Sequence, residues 1–230
     1  MHAARGATCL AVGLAPVPAF ADALQLQVLA SARQAEADVY AFTQTTTVQR
    51  SSEQPKPYVM RFDPARPPGA RWMLISSEGH APTTKESAGA TKQANAAPVP
   101  SYARIARWFG APAVRVATTK DSVTYRFPAL PKGTLKIGSH DASADTIAEV
   151  IVNTSGKTAF AERIRFISST PFRMALVAKI ERFVFTTTHQ LRADGRPVIQ
   201  QVEGDMSGSL FGKADWFKTR TIYSDIRAAR

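Results

Sequence analysis

The sequence predicts an α+β fold that is mostly β and is built on one large antiparallel sheet. Apolar and charged residues alternate with a period of two along much of 161–223, so Arg163 and Arg165 face one way while Ile164 and Phe166 face the other. Strand-like segments follow one another at hairpin spacing, and they do not alternate with full-length helices. A doubly wound parallel sheet is therefore disfavoured.

The segments rich in β-formers are predicted as strands: 40–49, 58–63, 71–76, 113–118, 122–127, 134–137, 147–153, 161–168, 176–191, 198–205 and 216–223. The second and third of these strands form a hairpin across a proline-rich loop at 64–70.

Three segments have helical features. Residues 23–38 lack Gly and Pro and repeat apolar residues at helical spacing, which predicts an N-terminal helix. The polar segment 78–100 either holds a short helix near 85–95 or is a mobile excursion. The segment 101–109 has Ser101 as N-cap, an apolar stripe, and Gly110 as its stop, so a short helix is predicted there.

Size and charge restrict the class of protein. A chain of 230 residues with 44% hydrophobic residues is long enough for one globular domain with a full core. The formal net charge of +11 favours anionic partners such as phospholipid headgroups. Lys and Arg are spread along the strands without a run of five, which disfavours nucleic acid as a partner.

The N-terminus has the features of a secretory signal. Arg5 provides the positive start, 7–20 the apolar middle, and Ala19-Phe20-Ala21 the small residues of a cleavage site. We therefore expect a signal peptide at 1–21, cleavage after Ala21, a single domain at 22–230 and a periplasmic location; the alternative is a disordered N-terminal tail. Cys9 is the only cysteine, so the mature chain would have no disulfide.

The motifs of common reaction centres are absent from the sequence. His80, His140 and His189 stand apart from one another, which gives no metal-binding spacing. The stretch 208–214 resembles a phosphate-binding loop, but its glycine spacing is one residue short and Ala214 replaces the hydroxyl residue. A glycine-rich bend explains it better. We expect a protein that is not an enzyme, with no catalytic residues, no metal and no cofactor.

Apolar side chains are the more prominent feature. The predicted strands and the 101–109 helix offer more apolar surface than short helices can cover, so the excess is either core or a cavity for an apolar ligand. The candidate cavity residues are Met60, Phe62, Trp72, Leu74, Ile105, Trp108, Phe109, Tyr125, Phe127, Phe166, Phe183 and Phe185.

The order of these elements resembles one known group. An export signal, a helix leading into a Thr/Gln-rich strand, the segment Tyr58–Pro64 and a long C-terminal run of strands are similar to the outer-membrane lipoprotein-carrier superfamily. The resemblance implies a curved, unclosed antiparallel half-barrel whose apolar face is covered by a helical lid and holds acyl chains. Arg50 and Arg61 are both candidates for the functional arginine of the carriers, in contact with a headgroup or with the lid.

We therefore expect a periplasmic binding or carrier protein whose partner is a lipid or an acylated protein. The alternative is an envelope sensor or interaction module of the same fold, which would contact a membrane protein and retain no lipid. A third hypothesis, an enzyme acting on envelope glycans or lipids, requires two carboxylates or a His–carboxylate pair to meet in a cleft.

Overall fold

The computed structural model describes residues 21–35, 40–51, 53–174 and 178–228. Its helices are α1 (Ala23–Gln34), α2 (Thr84–Ala96) and a 3-10 helix (Tyr102–Arg107). Its strands are β1 (Tyr40–Arg50), β2 (Lys56–Phe62), β3 (Trp72–Ser77), β4 (Val114–Thr118), β5 (Ser122–Phe127), β6 (Lys136–Ile137), β7 (His140–Asp141), β8 (Thr146–Asn153), β9 (Phe160–Ser168), β10 (Phe172–Met174), β11 (Ala178–Leu191), β12 (Pro197–Leu210) and β13 (Lys213–Ala228).

One antiparallel sheet dominates the fold. Its strand order is β3-β2-β1-β13-β12-β11-β9-β8-β5-β4, with β10 paired to β11. The sheet does not close, because β3 and β4 lie at opposite ends of this order. The predicted mostly β architecture on one large, unclosed antiparallel sheet is confirmed.

The helices agree with the sequence in position and differ in detail. The predicted N-terminal helix ends at Gln34, and the signal segment 1–20 lies outside the described residues. Of the two alternatives for 78–100, the structure has the helix, whose N-terminus is closed by a capping box between Thr83 and Glu86. The predicted 101–109 helix is a 3-10 helix that begins after Ser101.

The last two strands run further than the sequence predicts. β12 continues to Leu210 and β13 begins at Lys213, so the predicted glycine-rich bend is only a two-residue turn, Phe211-Gly212. Gly208 lies inside β12, opposite the place where β11 carries an extra residue. The two backbones approach so closely there that a residue with a Cβ atom does not fit.

We call the sheet face that carries the buried side chains the inner face. Three groups of apolar side chains lie on it. The α1 cluster includes Val28, Phe109, Phe127 and Val150, and it seals the sheet from β5 to β9. The α2 cluster is Phe42, Phe62 and Trp72 at the β1–β3 end. The β10 cluster is Ile137, Ala142, Phe172, Ile180 and Phe183.

Polar contacts fix α1 on this face. The Asp22 side chain caps the helix by accepting a hydrogen bond from the Gln25 N–H (2.9 Å). It also accepts one from the Tyr125 hydroxyl (2.7 Å) and pairs with Arg115 (2.8 Å). The buried Gln25 amide donates a 2.5 Å hydrogen bond to the Phe109 carbonyl, which ties α1 to the end of the 3-10 helix.

Gly208→Ala tests the close approach of β11 and β12. A Cβ there would lie 1.9 Å from the Lys179 carbonyl oxygen, so the backbone itself must move. We expect the free energy of unfolding to fall by about 3 kcal/mol, measured by urea denaturation. The control is Gly89→Ala in α2, whose Cβ would meet nothing within 4 Å and should stabilise the chain by about 0.5–1 kcal/mol. Equal midpoints for Gly208→Ala and the wild type would contradict this account.

Candidate functional site

The structure distributes the predicted cavity residues over three clusters instead of around one cavity. Five of them belong to the α1 cluster: Ile105, Trp108, Phe109, Tyr125 and Phe127. The others at the β1–β3 end are Phe62 and Trp72 in the α2 cluster, with Met60 packed against it and Leu74 beside it. Phe183 belongs to the β10 cluster, Phe185 packs against it, and Phe166 packs against both this cluster and the α1 cluster.

Aromatic rings occupy the space between the 3-10 helix and the sheet. The Trp108 ring makes edge contacts with Phe127 (5.1 Å between centroids) and Phe166 (5.3 Å). Phe109 is fully buried and packs against Phe127 at 5.3 Å. These side chains pack as hydrophobic core, where edge-to-face pairs are favourable. An open groove lies elsewhere on the inner face, over β1–β3.

A groove of about 570 Å³ lies between α2 and the inner face of β1–β3. Met60 and Leu74, both predicted cavity residues, form its apolar floor together with Tyr58. The register explains why they meet: Met60 is opposite Leu74 on β3 and opposite Gln44 on β1. This volume is within the range of small-molecule sites. We call it the α2 groove; its other lining residues are Gln44, Thr46, Ser77, Glu78, Glu86, Ala90, Gln93, Ala94 and Ala97.

Small side chains on α2 leave this groove open. Ala90 and Ala94 lie toward the sheet, and none of the residues of α2 is buried. A methyl group cannot fill the space that a leucine would fill at the same position. Polar contacts hold the helix instead: Ser77 donates to Glu86 (2.8 Å), and the Asn95 amide donates to the Gly69 carbonyl (2.8 Å). The alanine-rich composition of 84–96 was the sequence signal for this groove.

The polar side of the groove carries carboxylates. Hydrogen bonds from the Thr83 backbone and hydroxyl, and from Ser77, lower the pKa of Glu86 to about 2, so it is ionised. Glu78 accepts a hydrogen bond from the Tyr58 hydroxyl (2.9 Å) and pairs with Lys56 (3.5 Å). Acceptors of this kind suit a ligand whose polar end donates hydrogen bonds.

Neither candidate arginine lines the α2 groove. Arg50 is at the end of β1, where it forms a 2.6 Å ion pair with Asp215. Arg61 lies opposite Thr43 and Met73, so it faces away from the floor residue Met60 next to it. The sequence leads us to expect an arginine in contact with a headgroup, whereas the charged residues among the groove-lining residues are acidic.

A second, more apolar pocket of about 250 Å³ lies at the far end of the long strands. Its apolar lining includes Ile180, Met206, Leu210 and Trp216, and the Arg50–Asp215 pair is at its border. No local sequence signal indicates this pocket, because its residues come from β1 and β10–β13 and meet only through the register of those strands.

A His–carboxylate pair exists in the structure. His140 Nε2 lies 2.9 Å from Asp145 Oδ2, and the imidazole stacks on Phe172 with 4.1 Å between ring centroids. Thr170 also donates to Asp145 (2.8 Å), which holds the carboxylate in place. The lining of the pockets described above does not include this pair. Among the described residues no cluster of His, Cys, Asp or Glu has the composition of a metal site.

His189 is a buried histidine on β11 beneath the 3-10 helix. It is 3% exposed, its ring meets Tyr102 edge-on at 5.2 Å, and its Nδ1 atom has no hydrogen-bond partner in the described chain. Burial lowers the pKa of His189 from 6.5 to about 4, although hydrogen bonds with the backbone of Ala161 and Glu162 oppose this. The ring is therefore neutral at pH 7.

Comparison with protein-family models, curated proteins and solved structures gave no match to the chain. Within the part of the chain that the structure describes, no helix has the length and hydropathy of a membrane span.

The buried imidazole predicts a loss of stability in mild acid. The unfolded state binds a proton near pH 6.5 and the folded state only near pH 4, so the free energy of unfolding should fall across this range. The loss attributable to His189 is on the order of 3 kcal/mol. Urea denaturation at several pH values would show a flatter decline for His189→Leu than for the wild type. The exposed-site control His80→Gln should keep the wild-type decline, and equal slopes for all three would contradict this assignment.

Proposed function

We propose that the protein is an envelope binding protein that holds an acyl chain, or a comparable apolar chain, in the α2 groove. The observation that carries this proposal is the open space of about 570 Å³ over the apolar floor of Tyr58, Met60 and Leu74. The predicted export signal and the resemblance to lipoprotein carriers support the same class of ligand and a periplasmic location.

Apolar contact is sufficient for useful affinity. Each methylene that leaves water contributes about 0.8 kcal/mol, so about ten methylenes contribute about 8 kcal/mol. Association and ordering cost about 4 kcal/mol or more of this, so ten methylenes leave a dissociation constant of about 1 mM, and each further pair of methylenes lowers it by more than about tenfold. The ionised Glu86 and the neighbouring Glu78 favour a polar end with hydrogen-bond donors, such as an amine or hydroxyl, over a bare phosphate or carboxylate.

We further propose that α2 is the lid of a curved, half-barrel-like sheet. The helix has no buried residue, and a few hydrogen bonds and small side chains such as Ala94 hold it against the sheet. Ligand entry would then need the loss of bonds such as Ser77–Glu86 and Asn95–Gly69, each worth about 1 kcal/mol.

Filling the groove should abolish binding. Ala90→Trp places an indole in the space above the floor residues, whereas Ala88→Trp places the same side chain on the exposed face of α2. We expect Ala90→Trp to weaken binding of a fluorescent long-chain alcohol at least about tenfold, and Ala88→Trp to bind as the wild type does. The two variants share the helix and the substituent, so a loss in both would point to damage of α2 and not to a filled groove.

Native mass spectrometry of the chain purified from the cell envelope provides a second test. We expect an adduct with the mass of a lipid or fatty acid, diminished in Ala90→Trp. An envelope sensor of the same fold would instead give a stable protein complex and no retained lipid. Absence of any adduct, together with no binding of the fluorescent long-chain alcohol, would overturn the proposal.

A further inference from the structure

The turn between β12 and β13 presents an aromatic side chain to solvent. Phe211 is 73% exposed, the highest value among the large apolar side chains of the described chain. It is one of only two residues in the turn, the other being Gly212. Placing an aromatic ring in water gives no folding energy, so packing does not explain this residue.

The backbone conformation of the turn makes a phenylalanine at position 211 more unusual still. Phe211 has φ +51° and Gly212 has φ +78°, the pattern of a type I′ hairpin turn. At the first of these positions Asn or Asp is favoured, because a left-handed conformation crowds a bulky side chain. The chain therefore places Phe where it is both strained and unburied, which is typical of a residue selected for a contact outside the fold.

The turn lies past the end of β1 on one side, while on the other side β11 stays paired with β12 as far as Ala178, opposite Leu210. β1 ends at Arg50, which lies opposite Phe217 on β13. β12 and β13 remain paired as far as Leu210 and Lys213, so the hairpin projects past β1. Leu210 and Trp216 also line the apolar pocket of about 250 Å³, which extends the apolar surface behind Phe211.

Cations surround this apolar tip. Arg173 and Lys179 lie directly opposite each other on β10 and β11, an arrangement of like charges that an anion would relieve. Lys179 is paired with Glu181 at 3.1 Å, but the side chains of Arg173 and Lys213 have no ion pair or hydrogen bond within the described residues. An exposed aromatic flanked by unpaired cations is complementary to the interface of an anionic bilayer.

We propose that the β12–β13 turn docks the protein on a membrane surface that carries anionic phospholipids, with Phe211 inserted at the headgroup level and Lys213 and Arg173 near the phosphates. This contact is independent of the α2 groove, which lies over β1–β3. It requires no membrane-spanning segment, because one aromatic ring with basic neighbours gives reversible interfacial binding.

Co-sedimentation with vesicles tests the proposal. We expect the chain to bind vesicles in which a third of the phosphatidylcholine is replaced by phosphatidylglycerol, and to bind pure phosphatidylcholine vesicles weakly. Phe211→Asn should reduce binding to the anionic vesicles about tenfold. It should leave the melting temperature unchanged or raise it, because Asn suits the turn. Added salt should weaken binding, since the cations contribute to it.

Matched variants distinguish membrane binding through Phe211 from non-specific adhesion and from ligand binding in the α2 groove. Val114→Asn, at a 54% exposed valine on β4, should bind vesicles as the wild type does. Ala90→Trp should lose binding of the long-chain alcohol but still bind the anionic vesicles, and Phe211→Asn should show the reverse. The proposal is overturned if the wild type binds neither kind of vesicle, or if Phe211→Asn binds as tightly as the wild type.

Discussion

The architecture depends on a mismatch between the inner face of the sheet and the helices available to cover it. A ten-strand path presents a wide apolar surface, but α1 and the 3-10 helix supply large apolar side chains over β5 to β11 and not over β1–β3. At the β1–β3 end the cover is α2, which has alanines where a packing helix would have leucines. Hydrophobic burial therefore closes one side of the molecule and leaves the other side incompletely filled.

Most strands of the fold can be predicted from the local sequence pattern, whereas the residues of the candidate site can be predicted only in part. Period-two alternation and turn residues place most strands, because one face of each strand is buried and the other is wet. The ends of β12 and β13 depend on a non-local fact, the extra residue in β11 opposite Gly208, which no local window contains. The same limit applies to Met60 and Leu74. They line a groove, whereas Phe62 on the same strand as Met60 is part of the core. The difference comes from the small side chains of α2 that lie over Met60 and Leu74, and these are distant in sequence from Met60.

The sequence indicates a ligand cavity and a basic headgroup contact in one site, but the structure has them in different parts of the molecule. Arg50 was a candidate for headgroup contact, yet its guanidinium is neutralised by Asp215 at one border of the sheet. The groove itself has Glu78 and Glu86 as its charged lining, while Arg173 and Lys213, which have no ion pair or hydrogen bond within the described residues, are near the projecting turn. Net charge thus describes the whole surface of the chain and not the polarity of any particular site.

The strand order also decides when the β1–β3 end is joined to the rest of the sheet. β1, β2 and β3 join the remainder of the sheet only through β13, the final strand of the described chain. Because such a pairing links residues almost a whole chain length apart, it closes late and slowly. In a polypeptide still emerging from a ribosome, β1–β3 would not yet be connected to the rest of the sheet. This end of the molecule is consequently fixed in place only by the completed chain.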